Sequence, residues 1–214
     1  MFLGLFGIAF GLCLYTAMAY LRTDPPNVNF TGGHASGQPV DLHIQTVGSI
    51  GFGPHPTWVS YMVQAPDGSW VHSTLWQVPA NTQINVTLDQ YDSGSPLRNQ
   101  QIGRITGVNA TLNGKPYTLL DAANGNGAGH TFTMPAKGIN IPLKAISGSS
   151  NNACSAAPCS HKYDHNVIKF SFNSGHPGQY RWQCFVPCGL ATFDGNGGPM
   201  QTVGYMDGFV KVVA

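Results

Sequence analysis

The sequence predicts a mainly β protein, an antiparallel Greek-key sandwich or barrel carried behind one N-terminal transmembrane helix. Three observations point there. Short segments alternate apolar and polar residues with period two, and turn residues separate them. No stretch after residue 22 keeps an apolar helical stripe over three turns. The first 21 residues, MFLGLFGIAFGLCLYTAMAYL, contain no charged side chain.

That opening run is the first element. A helix of about 20 residues spans about 30 Å, the thickness of a bilayer's hydrocarbon. Ala17-Met18-Ala19 has the small-x-small form of a signal-peptide cleavage site, but no Lys or Arg precedes the apolar run. Residues 1–22 are therefore expected to be a retained single-pass anchor. Gly7 and Gly11 form a small-xxx-small pair of the kind that packs against other membrane helices, so partner subunits are expected.

Residues 23–39, rich in Pro, Gly and Asn, are expected to be a linker, with the main domain over 40–214. VDLHIQTV (40–47), TQINVTL (82–88), NVIKFSF (166–172) and FVKVVA (209–214) read as strands. WVSYMVQA (58–65) and SWVHSTLWQV (69–78) read as a hairpin about Pro66-Asp67-Gly68. Two insertions are expected, near 92–129 and 146–165. The first contains GRITGVNATLNGKPYTLL, an extra hairpin turning at Asn113-Gly114, and the second contains Cys154 and Cys159.

Charged residues make up only 9% of the chain, against roughly 25% in an ordinary soluble domain. Gly, Asn, Ser, Thr and Gln take their place, which suits an acidic exterior, a wet subunit interface or a glycosylated surface. A net charge of +1 without a basic block argues against nucleic acid binding. Three glycosylation sequons, at Asn29, Asn85 and Asn109, and a Cys154/Cys159 pair suited to oxidation place the domain outside the cytoplasm. Arg22 weighs mildly the other way.

The chemistry concentrates at the C-terminal end. His130 opens a strand-like segment, and Cys184, Cys188, Met200 and Met206 all lie in the last inter-strand loop. One distant histidine with a cysteine- and methionine-bearing loop before the final strand is the topology of a copper site, because soft sulfur ligands and imidazole suit that metal. After His176 the chain has no further histidine. His161, His165 and His176 form a weaker candidate cluster; loop histidines of this kind are usually just solvated. No Ser-His-Asp order, paired carboxylates or phosphate loop is present, so no catalytic residues are assigned.

PGQYRWQCFVPCGL resembles the loop of cytochrome and quinol oxidase subunit II. In that family a segment like PGxYxxxCxxxCGxxH supplies both bridging cysteines of the binuclear copper centre CuA. HTFTMPAKGINIPL resembles the strand carrying the family's first copper histidine, VPANTQINVTL the strand before it, and GYMDGFVKVV the methionine and final strand. The resemblance covers the anchor and roughly 75–91, 128–145 and 166–214. It implies a cupredoxin fold, with His130, Cys184, Cys188 and Met206 at the metal positions. The family's second histidine is replaced by Thr192, which argues against two coppers.

The cysteine pair then has three readings: a disulfide, one copper held with His130 and Met206 or Met200, or free structural thiols. In the metal-free cases His130 is a strand-end histidine satisfied by its neighbours, and the methionines are packing residues. The leading functional expectation is a subunit II-like, CuA-lacking component of a membrane haem–copper terminal (quinol) oxidase or related respiratory complex. It would have no cofactor of its own, haem and copper residing in a catalytic partner subunit. The alternatives are a membrane-anchored mononuclear copper electron-transfer protein and a structural extracytoplasmic module of a membrane or surface assembly.

Overall fold

In the computed structural model the alternating segments pair into two sheets that face each other across an aromatic core. Residues 2–18, 25–32, 38–189 and 195–214 are described. The chain runs through α1 (Phe2–Thr16) and then thirteen strands. These are β1 (Asn27–Asn29), β2 (Val40–Val47), β3 (Ser60–Gln64), β4 (Trp70–Val71), β5 (Leu75–Pro79), β6 (Gln83–Gln90), β7 (Ala110–Leu112), β8 (Lys115–Tyr117), β9 (Ala128–Met134), β10 (Ile139–Lys144), β11 (Asn166–Asn173), β12 (Gly178–Gln183) and β13 (Asp207–Val213). One sheet has the order β1-β5-β13-β12-β9-β10 and the other β4-β3-β2-β6-β11-β7-β8.

Period-two patterning explains the facing. In β11, Ile168, Phe170 and Phe172 are buried while Lys169 and Ser171 face water. Their register sets them beside Leu88, Val86 and Ile84 of β6, which point into the same core. Strand β9 is buried at every residue, because one side meets the core and the 92–127 insertion lies over the other. Asn140 of the neighbouring β10 donates to the carbonyls of Ile102 and Arg104 in that insertion. At the centre, Trp182 stacks on Trp76 and Phe132 (centroids 4.7 and 5.2 Å apart) and meets Tyr61 edge-on.

Four expectations need correction. The sheets are mixed, since β1 with β5, β5 with β13 and β2 with β6 run parallel. The segment 69–78 is not one strand. It pairs briefly with β3 as β4, then crosses to the other sheet as β5. The corner is fixed by buried Ser73, whose hydroxyl donates to Pro26 O and accepts from Leu75 N. The expected linker supplies a strand, β1. The helix α1 has 15 residues, or about 22 Å at 1.5 Å per residue, and among the described residues no helix is long and apolar enough to cross a membrane. Residues 1 and 19–22 of the expected anchor lie outside the described residues, as does Thr192.

The expected hairpin is present as β7–β8. Asn113 and Gly114 have φ of +50° and +78°, the pair of left-handed residues a tight hairpin turn requires. Cys154 and Cys159 form a disulfide that closes the 146–165 loop on itself.

Candidate metal centre

The sheet order brings β12 beside both β9 and β13, so a residue near the start of β9 meets the loop that follows β12. His130 is buried on β9. Close backbone approach there depends on Gly129, where a Cβ would come within 2.4 Å of Gln90 Nε2 and 2.9 Å of Ser93 O. Cys184 is fully buried at the end of β12. Its N–H donates to Met206 O (2.9 Å), its Sγ accepts the N–H of Thr131 (3.4 Å), and the Thr131 hydroxyl accepts the N–H of Phe185 (2.8 Å). These bonds tie the cysteine loop to β9 on one side and to the approach to β13 on the other.

His130 Nδ1 lies 3.8 Å from Cys184 Sγ, and Cys184 Sγ lies 3.7 Å from Cys188 Sγ. All three ligand atoms fall within 4.8 Å of one another. The cysteines are free thiols in contact, not bonded. On its far side His130 Nε2–H donates to Asp92 Oδ2 at 2.9 Å. A carboxylate only accepts, so Nε2 keeps its proton, and it is Nδ1 of the neutral ring that presents a lone pair to the sulfurs.

Charge follows the same geometry. Burial depresses His130, but hydrogen bonds with Asp92 and Cys184 reverse that and raise its pKa to about 9. Burial pushes the Cys184 thiol up, yet hydrogen bonds with Cys188 and His130 and the attraction of the imidazole bring it well below an ordinary thiol. Cys188 is pushed up, first by its hydrogen bond to Cys184 and then by burial. Within the pair, negative charge is therefore favoured on Cys184 over Cys188.

The two methionines meet the loop differently. Met200 sets its Sδ against the cysteine loop, accepting the N–H of Cys188 at 3.4 Å, and Gln183 Nε2 donates to its carbonyl. Met206 accepts the Cys184 N–H with its backbone carbonyl, and its side chain is buried in the same core cluster as Cys184. A cleft of about 250 Å³ lined by Asp92, Gly129, His130, Pro187 and Cys188 leads to the cluster from outside.

Do these residues fit a metal? Two thiolates on one tetrahedral ion with bonds of about 2.3 Å stand roughly 3.7 Å apart, which is the separation found. One imidazole nitrogen and two sulfurs form a soft donor set suited to copper, with the second nitrogen of the histidine held by a carboxylate as ligating histidines require. The cluster fits one ion. Asp92, the residue that orients the ligand, was missed by sequence reading, since only the fold brings it to His130 across 38 positions. His176 lies on an exposed turn before β12, away from any ligand cluster among the described residues, whereas His161 and His165 come together with Asp89.

No protein-family model matches the chain, and no curated protein matches it. Among solved structures it is similar to rusticyanin from Thiobacillus ferrooxidans, at 13% identity and a TM-score of 0.38 over 91% of this chain and 86% of that one. A further structure of the copper protein rusticyanin aligns at 15% identity and a TM-score of 0.36 over 94% of each chain. Reduced rusticyanin aligns at 14% identity and a TM-score of 0.35 over 94% of this chain and 96% of that one. Likeness this distant settles neither the fold family nor the function.

Proposed function

We propose that this chain is a cupredoxin-type domain that holds one copper ion between His130, Cys184 and Cys188 and serves electron transfer at a membrane. One observation carries the reading: an imidazole nitrogen and two sulfurs converge within 4.8 Å, with the histidine's tautomer fixed by Asp92. Copper bound there would supply reversible one-electron exchange. The chain's own residues have distinct tasks. Asp92 orients His130. The Thr131 N–H stabilises negative charge on Cys184. Burial of Cys184 and His130 keeps water from the donors. Phe185, next to Cys184 and 45% exposed, offers apolar surface for a redox partner.

The finer reading places the domain in a subunit II-like role beside a catalytic haem–copper subunit. The loop resemblance supports it. The Cys154–Cys159 disulfide supports an extracytoplasmic position, since such bonds persist in oxidising compartments. Compared with the copper-less subunit expected from Thr192, the donor geometry favours a single retained ion.

Copper analysis of the full chain after reconstitution tests this. One copper per chain is expected, with a thiolate-to-copper charge-transfer band that Cys184→Ser abolishes. Failure to bind a thiolate-ligated copper, or binding of two coppers at the Cys184–Cys188 cluster itself, overturns it. A native membrane complex with haem but no copper on this chain would replace it with the purely structural subunit.

A further inference from the structure

We infer that Asp89, His161 and His165 form a second metal site, distinct from the thiol cluster, which takes a borderline divalent cation of the zinc class. The ligand atoms of these three residues lie within 4.8 Å of one another. His161 Nε2 is 2.9 Å from Asp89 Oδ2, and the two imidazoles stack at 4.8 Å with planes 18° apart.

A plain His161–Asp89 ion pair leaves two features without a role. Asp89 is 1% exposed, and its second oxygen, Oδ1, is buried with no hydrogen-bond partner. A buried carboxylate oxygen without a partner is costly. An ion at the cluster would supply its missing counterpart. The second feature is the tautomer of His165. Its Nδ1 lies 2.8 Å from the carbonyl of Tyr163. A carbonyl only accepts, so Nδ1 carries the proton and Nε2 keeps its lone pair. That is the arrangement of a ligating histidine whose other nitrogen is held by an outer partner.

The loop is also built to hold this arrangement. The Cys154–Cys159 disulfide closes it just before His161. Gln45, buried on β2, grips Cys159 twice, donating Nε2–H to its carbonyl (2.7 Å) and accepting its N–H (2.9 Å). Asn152 donates to Lys162 O at 2.8 Å between the two histidines. The Tyr91 ring lies against His165 at 5.1 Å. Asp89 itself is fixed in the middle of a sheet, paired to Gln45 of β2 and Val167 of β11.

Two imidazoles and one carboxylate, without sulfur, suit Zn²⁺ and neighbouring divalent ions more than a soft monovalent one. The His161 side chain is 65% exposed, so three protein ligands leave a coordination position open to solvent. Bound metal would pin the 146–165 loop to β6.

The experiment is titration of the metal-free full chain with Zn²⁺, and separately with Co²⁺ as a spectroscopic probe. It compares the wild type with His161→Gln and His165→Gln, positions whose change spares the core. The wild type should bind one equivalent whose Co²⁺ form shows visible ligand-field absorption without thiolate charge transfer. Each variant should weaken that equivalent by more than about tenfold, the lower end of what loss of even an outer-shell partner costs. Any thiolate signal from Cys184 should stay unchanged. Absence of such an equivalent in the wild type, or its persistence in both variants, overturns the site.

Discussion

Nε2 of His130 stands 2.9 Å from Oδ2 of Asp92, and this single bond decides which face of the imidazole meets the two cysteine sulfurs. The orientation of the proposed ligand set therefore depends on a residue that contributes no donor atom to it.

Asp92→Asn should test that dependence. The amide keeps the shape but no longer demands a proton on Nε2, so the tautomer is free to switch. Copper affinity should fall about 10- to 100-fold, and the unfolding midpoint of the metal-free chain should fall as well near neutral pH, because buried His130 loses its carboxylate partner. Competition with a chelator of known affinity measures the first and denaturant unfolding the second. An unchanged affinity would show that Asp92 does not orient the ring.

Trp182→Ala should be among the costliest substitutions. Trp182 is fully buried, stacked on Trp76 and Phe132 and edge-on to Tyr61. Truncating such a side chain to Ala costs about 3–5 kcal/mol. Because Trp182 precedes Cys184 by two residues, the cysteine loop should loosen as well. Urea unfolding of the variant reads out the loss; a cost below about 1 kcal/mol, the size of a routine substitution, would mean the column is not the core's centre.

Acid should weaken the protein through His72. Burial lowers its pKa, with a hydrogen bond to Gly204 opposing; the ring packs on Tyr205 and meets the Ser60 hydroxyl at 2.8 Å. A folded pKa below the unfolded value of about 6.5 means the unfolded chain binds the proton more readily. The contribution is complete above about pH 6.5 and is lost as pH falls from there through the folded pKa. Denaturant midpoints measured between about pH 7 and pH 5 should drop less steeply for His72→Gln than for the wild type. Equal slopes would remove His72 from the explanation.

Reducing the Cys154–Cys159 bond should cost about 2 kcal/mol, because the closed loop is short and removes little unfolded-chain entropy. The two cysteines are only five positions apart. Unfolding with and without reductant, or of Cys154→Ser/Cys159→Ser, measures it. The second metal equivalent should weaken in the same samples.

Much of this was legible in the residues. Strands β6, β11 and β13 follow directly from local alternation, and Asn113-Gly114 announces its own turn. His130, Cys184 and Cys188 were readable because the site's topology places a loop between the last two strands. The rest depends on contacts no local pattern encodes. The parallel pairing of β2 with β6 arises from chain crossings, and the split of 69–78 arises from hydroxyls at a corner that look like ordinary strand residues. Asp89 and Asp92 sit at the end of one strand and just beyond it, and nothing nearby marks them as partners of histidines 72 and 38 positions away. The uncharged start reads as a span by composition, whereas the described helix is shorter than that composition suggests.

The outermost strands of the two sheets are β1, β10, β4 and β8. Three are minimal: β1 and β8 have three residues each and β4 has two. β10 and β8 carry Pro142 and Pro116, which lack an N–H to offer a newcomer. A β-rich chain with so few charges would otherwise invite edge-to-edge polymerisation. Fibril-like stacking is thereby discouraged without electrostatic repulsion, and the described edges disfavour the addition of a further strand.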